Sequence, residues 1–358
     1  MSTTRIKTCA RYVSADIDSG KFPKAFKGFE EEICEGAVRA RDTEVFGDYS
    51  RWIEWLRWAS VVLDENDYLK AAVYGLNLAP KLAGTDYGTA RQRDLGQLWT
   101  DVIRGFLGEI AVAKWLKERF GISAELDYRL GPLEEFLPSD IKSVNGREPK
   151  LKVSIKTTKL NGLWLDVPGA QIEHSDVFIL VRVGVTRKHF VAFLKKISVI
   201  RDKLVKEAVE RGLVKREEAE QIVEQIWGSI PEFTAIPAYT AGFLDKAEIQ
   251  DKLKDRTAVI EADGDVKKIK KKEKKNGDVE KKKVKVIINR FLGFWHPRED
   301  IYEKKVKELL RERGKLVEDE MSIEFEGIRD FSKELHFIAS SGFLKKKKED
   351  WEKLIERL

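Results

Sequence analysis

Gly121 divides the chain into two periodicities. Before it, from about Phe26 to Phe120, apolar and aromatic residues return every three or four positions: Trp52, Trp55, Leu56, Trp58, Val62 and Leu63, then Leu69, Val73, Leu76 and Leu78. That spacing lines them up on faces of amphipathic helices, and the tryptophans read as core. Gly84, Gly88 and Gly96 punctuate the approach to a long helix over 95–119, with Leu98, Val102, Phe106, Ile110, Ala113 and Leu116 as its buried stripe and Gly121 as its C-terminal glycine. Beyond Gly121 the pattern shortens to segments of β character at 124–130, 139–144, 151–158, 163–167, 176–185 and 189–194, separated by Gly, Pro and Asn. Helices follow at 200–211 and 215–227, then the Pro-containing stretch SIPEFTAIPAYTAGFL, read as a connection, and a short helix near Lys246. Helix, then strands, then helices predicts an α/β (α+β) domain.

A second feature lies further on. Between Lys267 and Lys285 there are 11 lysines and three acids, with Asn276-Gly277 as a two-residue turn signal and a returning apolar strand from Lys283 to Ile288. This reads as a basic β-hairpin, either a lysine-protected sheet edge or an arm that follows phosphates. Helices at 300–313 and 348–358 and a strand at 321–325 complete the chain. Residues 260–358 carry 27 Lys and Arg against 22 Asp and Glu, so this part holds five of the six net positive charges. The expected organisation is a helical N-terminal region (1–94), a core (95–257) and a basic hairpin plus helical C-terminal region (258–358).

Composition narrows the class. The chain is 36% charged, with only six Asn and six Gln, a thermophile-like balance. The longest apolar runs, such as VFILVRV, are far too short to span a bilayer, and the N-terminus lacks the apolar core of a signal peptide, so a soluble, cytoplasmic protein is expected. Cys9 and Cys34 are too few for a disulfide framework, and His174, His189, His296 and His336 are too scattered for a structural zinc site. No phosphate-binding P-loop, dinucleotide fingerprint, nucleophile elbow or HExxH sequence is present. Chemistry here would have to run on carboxylates, a lysine and a hard metal.

Three positions offer that chemistry. Glu109 lies in GFLGEIAVAKWL, where Gly105, Gly108 and Ala113 let the helix approach another element closely. Asp140 lies in FLPSDIKSV on a short strand. Lys156 lies in LKVSIKTTK, where the pleat puts Leu151, Val153 and Ile155 on one face and Lys152, Ser154, Lys156 and Thr158 on the other. Taken singly these are a helix flank, a turn aspartate and an exposed lysine. Taken together, a helix carboxylate, a strand Asp, the turn Asn145-Gly146-Arg147 and then an apolar strand bearing x-I-K resemble the PD-(D/E)XK nuclease superfamily of restriction endonucleases, over about residues 105–194. The chain departs from the motif at Ser139, between Pro138 and Asp140, and at Ser154, where an acid is usual.

The resemblance implies a restriction-endonuclease-like core, a mixed central sheet flanked by helices. It implies Mg²⁺ held by Glu109, Asp140 and the carbonyl of Ile155, with Lys156 acting on the attacking water. Ser154 occupies the motif's acid position, and Glu109, or more distantly Glu173, would supply the missing carboxylate. Mg²⁺ suits this set because it prefers oxygen ligands and can bridge a scissile phosphate. The extra chain around the small core suits base reading and a homodimer across duplex DNA, hence a Mg²⁺-dependent type II restriction enzyme. Lys142, Lys152 and Lys159 near the cleft, with Lys271, Lys274 and Lys282 of the hairpin, would contact phosphates. A companion DNA methyltransferase, without direct contact, would protect the host. The alternatives are a repair, mobile-element or RNA nuclease of the same superfamily, and a DNA-binding protein with a degenerate site.

Overall fold

The computed structural model describes residues 2–83, 94–128, 139–197, 199–268, 284–328 and 331–358. The N-terminal part contains α1 (Ser2–Asp18), α2 (Glu30–Arg39), α3 (Tyr49–Ala59), β1 (Ser60–Leu63), α4 (Glu65–Ala83) and the long α5 (Leu95–Phe120). Then come β2 (Ala124–Leu126), β3 (Ile141–Val144), β4 (Val153–Lys159), β5 (Trp164–Pro168), α6 (Gly169–His174), β6 (Val177–Val183), α7 (Arg187–Lys196), α8 (Lys206–Glu210), α9 (Arg216–Ser229), β7 (Ile236–Asp245) and α10 (Lys246–Leu253). The chain ends with β8 (Val259–Lys268), β9 (Val284–Trp295), α11 (Asp300–Glu312), β10 (Ser322–Phe325), β11 (His336–Ser340) and α12 (Lys348–Arg357).

The fold is mixed α/β, and its described residues form two larger sheets and a separate antiparallel pair of β2 and β3. The first has the order β1-β7-β6-β4, with β4 and β6 parallel and the other pairs antiparallel. The second has the order β10-β9-β11-β5, with β8 beside β9. Strand alternation decides what each face of β6 meets. Val177, Ile179, Val181 and Val183 join a core with α4, α5, β1 and Trp351 of α12, while Phe178 and Leu180 join the core shared with the second sheet and α1–α3. The three regions expected from sequence therefore interlock. β1 of the N-terminal region is an edge of the first sheet, β11 of the C-terminal region pairs with β5, and α12 plugs the α5 side.

α5 ends as expected, with Gly121 at φ 69° donating its N–H to the Lys117 carbonyl and Ile122 donating to that of Leu116. The flanks of the lysine-rich segment also pair as a hairpin, Lys268 opposite Val284, while Asn276-Gly277, Lys271, Lys274 and Lys282 lie outside the described residues, as do Pro138, Gly84 and Gly88.

Four readings are corrected. Residues 189–194, expected as a strand, belong to the helix α7. Thr186 and His189 cap its N-terminus reciprocally, and the buried His189, Ala192 and Phe193 recur at helical spacing. The supposed connection AIPAYTAGFL contains β7, a central strand buried along its whole length. Its small residues and Pro237 disguised it, and Gly242, at φ 139°, passes so close to Lys345 that a Cβ would lie 2.7 Å from the Lys345 carbonyl oxygen. On α4 the apolar residues Leu69, Val73 and Leu76 are 48%, 57% and 58% exposed, because the helix buries Tyr68, Ala71, Ala72 and Ala79 instead. Small alanines permit the closer approach to α5. Finally, Cys9 and Cys34 form a disulfide joining α1 to α2; 25 residues apart in sequence, they become neighbours only when the two helices pair.

Gly105 and Gly108 were expected to bring α5 close to another element, and that element is β4. Thr157 Oγ1 donates to the Gly105 carbonyl at 3.2 Å, and a Cβ on Gly108 would sit 1.8 Å from Thr157 Oγ1 and 2.9 Å from Thr157 Cβ. Gly108→Ala is therefore expected to cost about 1–3 kcal/mol in urea unfolding by overpacking. It should also weaken any activity that needs Glu109 and Lys156 together, since the pushed-apart elements carry those two residues.

Candidate active site

The site forms at the free edge of β4. Lys152 turns its carbonyl toward β6, where it accepts from Val177 N–H at 3.1 Å. Because successive residues alternate, Val153 and Ile155 turn their N–H and C=O groups to the opposite, unpaired side. There Asp140 N–H donates to the Val153 carbonyl at 2.8 Å, Val153 N–H donates to Ser139 Oγ at 3.1 Å, and Ile155 N–H donates to the Asp140 carboxylate. The carbonyl of Ile155 thus faces the same edge as Asp140. The expected pleat is also observed, with Val153 and Ile155 buried against α5. The other face is not open to solvent as an exposed strand would be. Ser154 is only 7% exposed and Lys156 is half-buried, because β5 and α6 lie over them.

Glu109, Asp140 and Lys156, 47 residues apart at most, act on one another electrostatically. Burial pushes the Glu109 carboxyl well above its usual range, with Asp140 and Asp127 adding to the shift and Lys156 opposing it. Burial also raises Asp140, against the pull of Lys156, the Ile155 N–H and the Ser154 hydroxyl, with Asp127 adding further repulsion. Burial lowers Lys156, which the charges of Asp140, Asp166 and Glu109 partly restore. Two acids and one amine are therefore drawn out of water together, with more negative than positive charge around them. Such a cluster favours an added cation.

Ser154 has a different role from an acid at its position. Its hydroxyl lowers the Asp140 carboxyl, as the smallest of the influences on it, while the Ile155 N–H holds that carboxylate on the edge of β4. Glu173 is not the compensating acid, since it is exposed on α6 and ion-paired with Arg256. Lys142, Lys152 and Lys159 are exposed near the edge; Lys142 pairs with Glu125 at 2.7 Å.

Four residues escaped the sequence reading. Asp127 follows β2, donates its N–H to the Asp140 carbonyl at 3.0 Å, and adds negative charge to the cluster. Gln171 of α6 accepts from Lys156 Nζ through Oε1. Asp166 of β5 faces Lys156 and shares a hydrogen bond of 2.7 Å with Nδ1 of the buried His336. Burial alone would lower His336, but the Asp166 carboxylate overrides it and holds the imidazole above its usual value. A lone Asp within the apolar LWLDVP was the available signal for Asp166; Gln171 and His336 had none, since they arrive through pairing of β11 with β5 and the turn into α6.

The donor set fits Mg²⁺. The Asp140 carboxylate and the Ile155 carbonyl share one edge, and Glu109 of α5 is close enough for its charge and that of Asp140 to act on each other; Mg²⁺ is commonly held by one or two carboxylates, with waters and substrate phosphate oxygens completing its shell. Among the described residues no group of three His, Cys, Asp or Glu side chains is arranged to hold a metal ion, so the protein's share would be this partial set. Among them, too, no helix is long and apolar enough to cross a membrane. Comparison with known proteins finds no matching family model, no matching curated protein and no matching solved structure.

Proposed function

We propose that the chain is a Mg²⁺-dependent endonuclease that hydrolyses phosphodiester bonds of double-stranded DNA, most simply a type II restriction enzyme working as a homodimer. The observation that carries this reading is the convergence of Glu109, Asp140 and Lys156 at the open edge of β4, in the order and on the elements that resemble the PD-(D/E)XK arrangement. Glu109, Asp140 and the Ile155 carbonyl would hold Mg²⁺. When bound, it would acidify a water and neutralise charge building on the phosphate. The Ile155 N–H fixes the Asp140 carboxylate. Lys156, steadied by Gln171 and Asp166, orients the attacking water and favours its hydroxide form through its positive charge. Lys142, Lys152 and Lys159 would take neighbouring phosphates.

Ser154 in place of an acid favours one competing reading, a DNA-binding protein whose site has lost its chemistry. One experiment separates them. Wild type and Asp140→Ala are incubated at elevated temperature with several long duplex DNAs, in Mg²⁺ or in EDTA. Discrete fragments from wild type in Mg²⁺ alone, absent with Asp140→Ala, are expected. DNA bound equally with and without Mg²⁺ and never cut would support the binding reading instead. Cutting of RNA, or cutting without sequence preference, would move the assignment to another nuclease class.

A further inference from the structure

Beside the candidate site, α4, α5 and the β2–β3 hairpin border a cleft of about 750 Å³. Its wall is unusual in carrying both flat aromatics and lysines. Tyr74 of α4 and Tyr128, just after β2, stack with ring centroids 3.9 Å apart and planes 8° from parallel. Phe106 of α5 supports both rings edge-on. Lys70 Nζ lies 5.1 Å from the Tyr128 centroid, and Lys114 and Lys117 line the α5 side.

The charges in the cleft do not cancel evenly. Asp67 is occupied by Lys114 at 2.7 Å, and Glu125 by Lys142 at 2.7 Å. Lys70 and Lys117 are both exposed and supply the cationic surplus of the lining. The hydroxyl of Tyr128 is buried and has no hydrogen-bond partner among the described residues. The cleft lies near the candidate site, for the charge of Glu109 reaches the phenol of its lining residue Tyr128.

We propose that this cleft is a nucleotide-binding subsite, which seats one unpaired nucleotide with its base on the Tyr74–Tyr128 pair and its phosphate near Lys70 and Lys117. Aromatic platforms beside lysines bind nucleic acid in this way because every base has a π-face and every nucleotide a phosphate. Only an unpaired or extruded base has a face free to stack there, since in a duplex both faces are covered by neighbours. The placement of that nucleotide next to the cut rests on the nuclease reading; the binding itself does not.

The test uses the full-length protein in EDTA, where metal-dependent cutting is silent. The probes are a short duplex with one unpaired 2-aminopurine and its fully paired counterpart, followed by probe fluorescence and by anisotropy. Wild type should change the probe's emission by stacking and prefer the unpaired duplex. Tyr74→Ala and Tyr128→Ala should abolish the emission change and lower affinity for that duplex about tenfold. Tyr128→Phe, which keeps the ring, should retain the emission change. Lys70→Ala/Lys117→Ala, a surface change that leaves packing alone, should flatten the salt dependence of binding. Equal affinity for both probes, or alanine variants that bind and perturb the probe like wild type, overturns the subsite. If the probe binds as expected but no DNA is cut in Mg²⁺, the nuclease reading fails and the subsite stands. If DNA is cut but the tyrosine variants are indistinguishable from wild type in binding, the reverse holds.

Discussion

Asp42→Ala is expected to destabilise the protein by about 3–5 kcal/mol, because it strands two buried cations. Arg182 and Lys346 are both 0% exposed and Asp42 is 1% exposed. Arg182 reaches Asp42 at 2.8 Å, and Lys346 reaches its other oxygen at 2.5 Å. The remaining valences are satisfied as well. Arg182 donates to the Gly162 carbonyl, the Tyr239 hydroxyl and Ser341 Oγ, each at 2.8 Å, and Lys346 donates to the Ser341 carbonyl at 2.7 Å. With Asp42 gone, two positive charges would face each other in a dry core. Urea unfolding at neutral pH measures the loss, and a change below 1 kcal/mol would mean that water enters this cluster.

The same pair of proteins carries a pH signature. Burial would raise Asp42, but Lys346 and Arg182 outweigh it and hold the carboxyl below its usual value. A group depressed on folding contributes stability that is full above its unfolded pKa, about 3.9, and is lost as pH falls through its folded value. The gap between wild type and Asp42→Ala should therefore narrow only below about pH 4.

Lys156→Ala is expected to reduce the proposed DNA cleavage by about 10²–10³, the range for losing one group that stabilises developing charge. Lys156→Arg should not restore it, since the planar guanidinium is larger and cannot take the compact ammonium's place beside Gln171 and Asp166. Lys156 also opposes the rise of both the Glu109 and Asp140 carboxyls. Without it both carboxyls rise, so the acid limb of the residual pH–rate profile should move to higher pH. Steady-state cleavage from pH 5 to 9 checks both points. Cutting that survives Lys156→Ala unchanged would place the chemistry elsewhere in the protein.

The candidate site was legible because Glu109 and Lys156 sit on regular elements and Asp140 immediately precedes one. Period two across 151–158 put Lys156 and Ser154 on one face, and the glycines before Glu109 announced a close approach. The residues that complete the surroundings were not legible in the same way. Asp166 and Gln171 come from β5 and α6, and His336 is 180 residues beyond Lys156. The stretch containing β7 was obscured because its pairing with β1 and β6 stabilises Pro237, Gly242 and small residues that read locally as a loop. The segment HFVAFL is compatible with either period, and the cap formed by Thr186 and His189 makes it part of the helix α7.

Sequence by itself determined the change from helical to strand periodicity, the end of α5 at Gly121 and the faces of β4, because these depend on neighbours within a few positions. Tertiary structure decided which carboxylate meets which amine, the disulfide between α1 and α2, the buried Asp42–Arg182–Lys346 cluster and the stacked tyrosines. Those rest on contacts between distant segments, where burial and charge act only once the sheets and helices have packed.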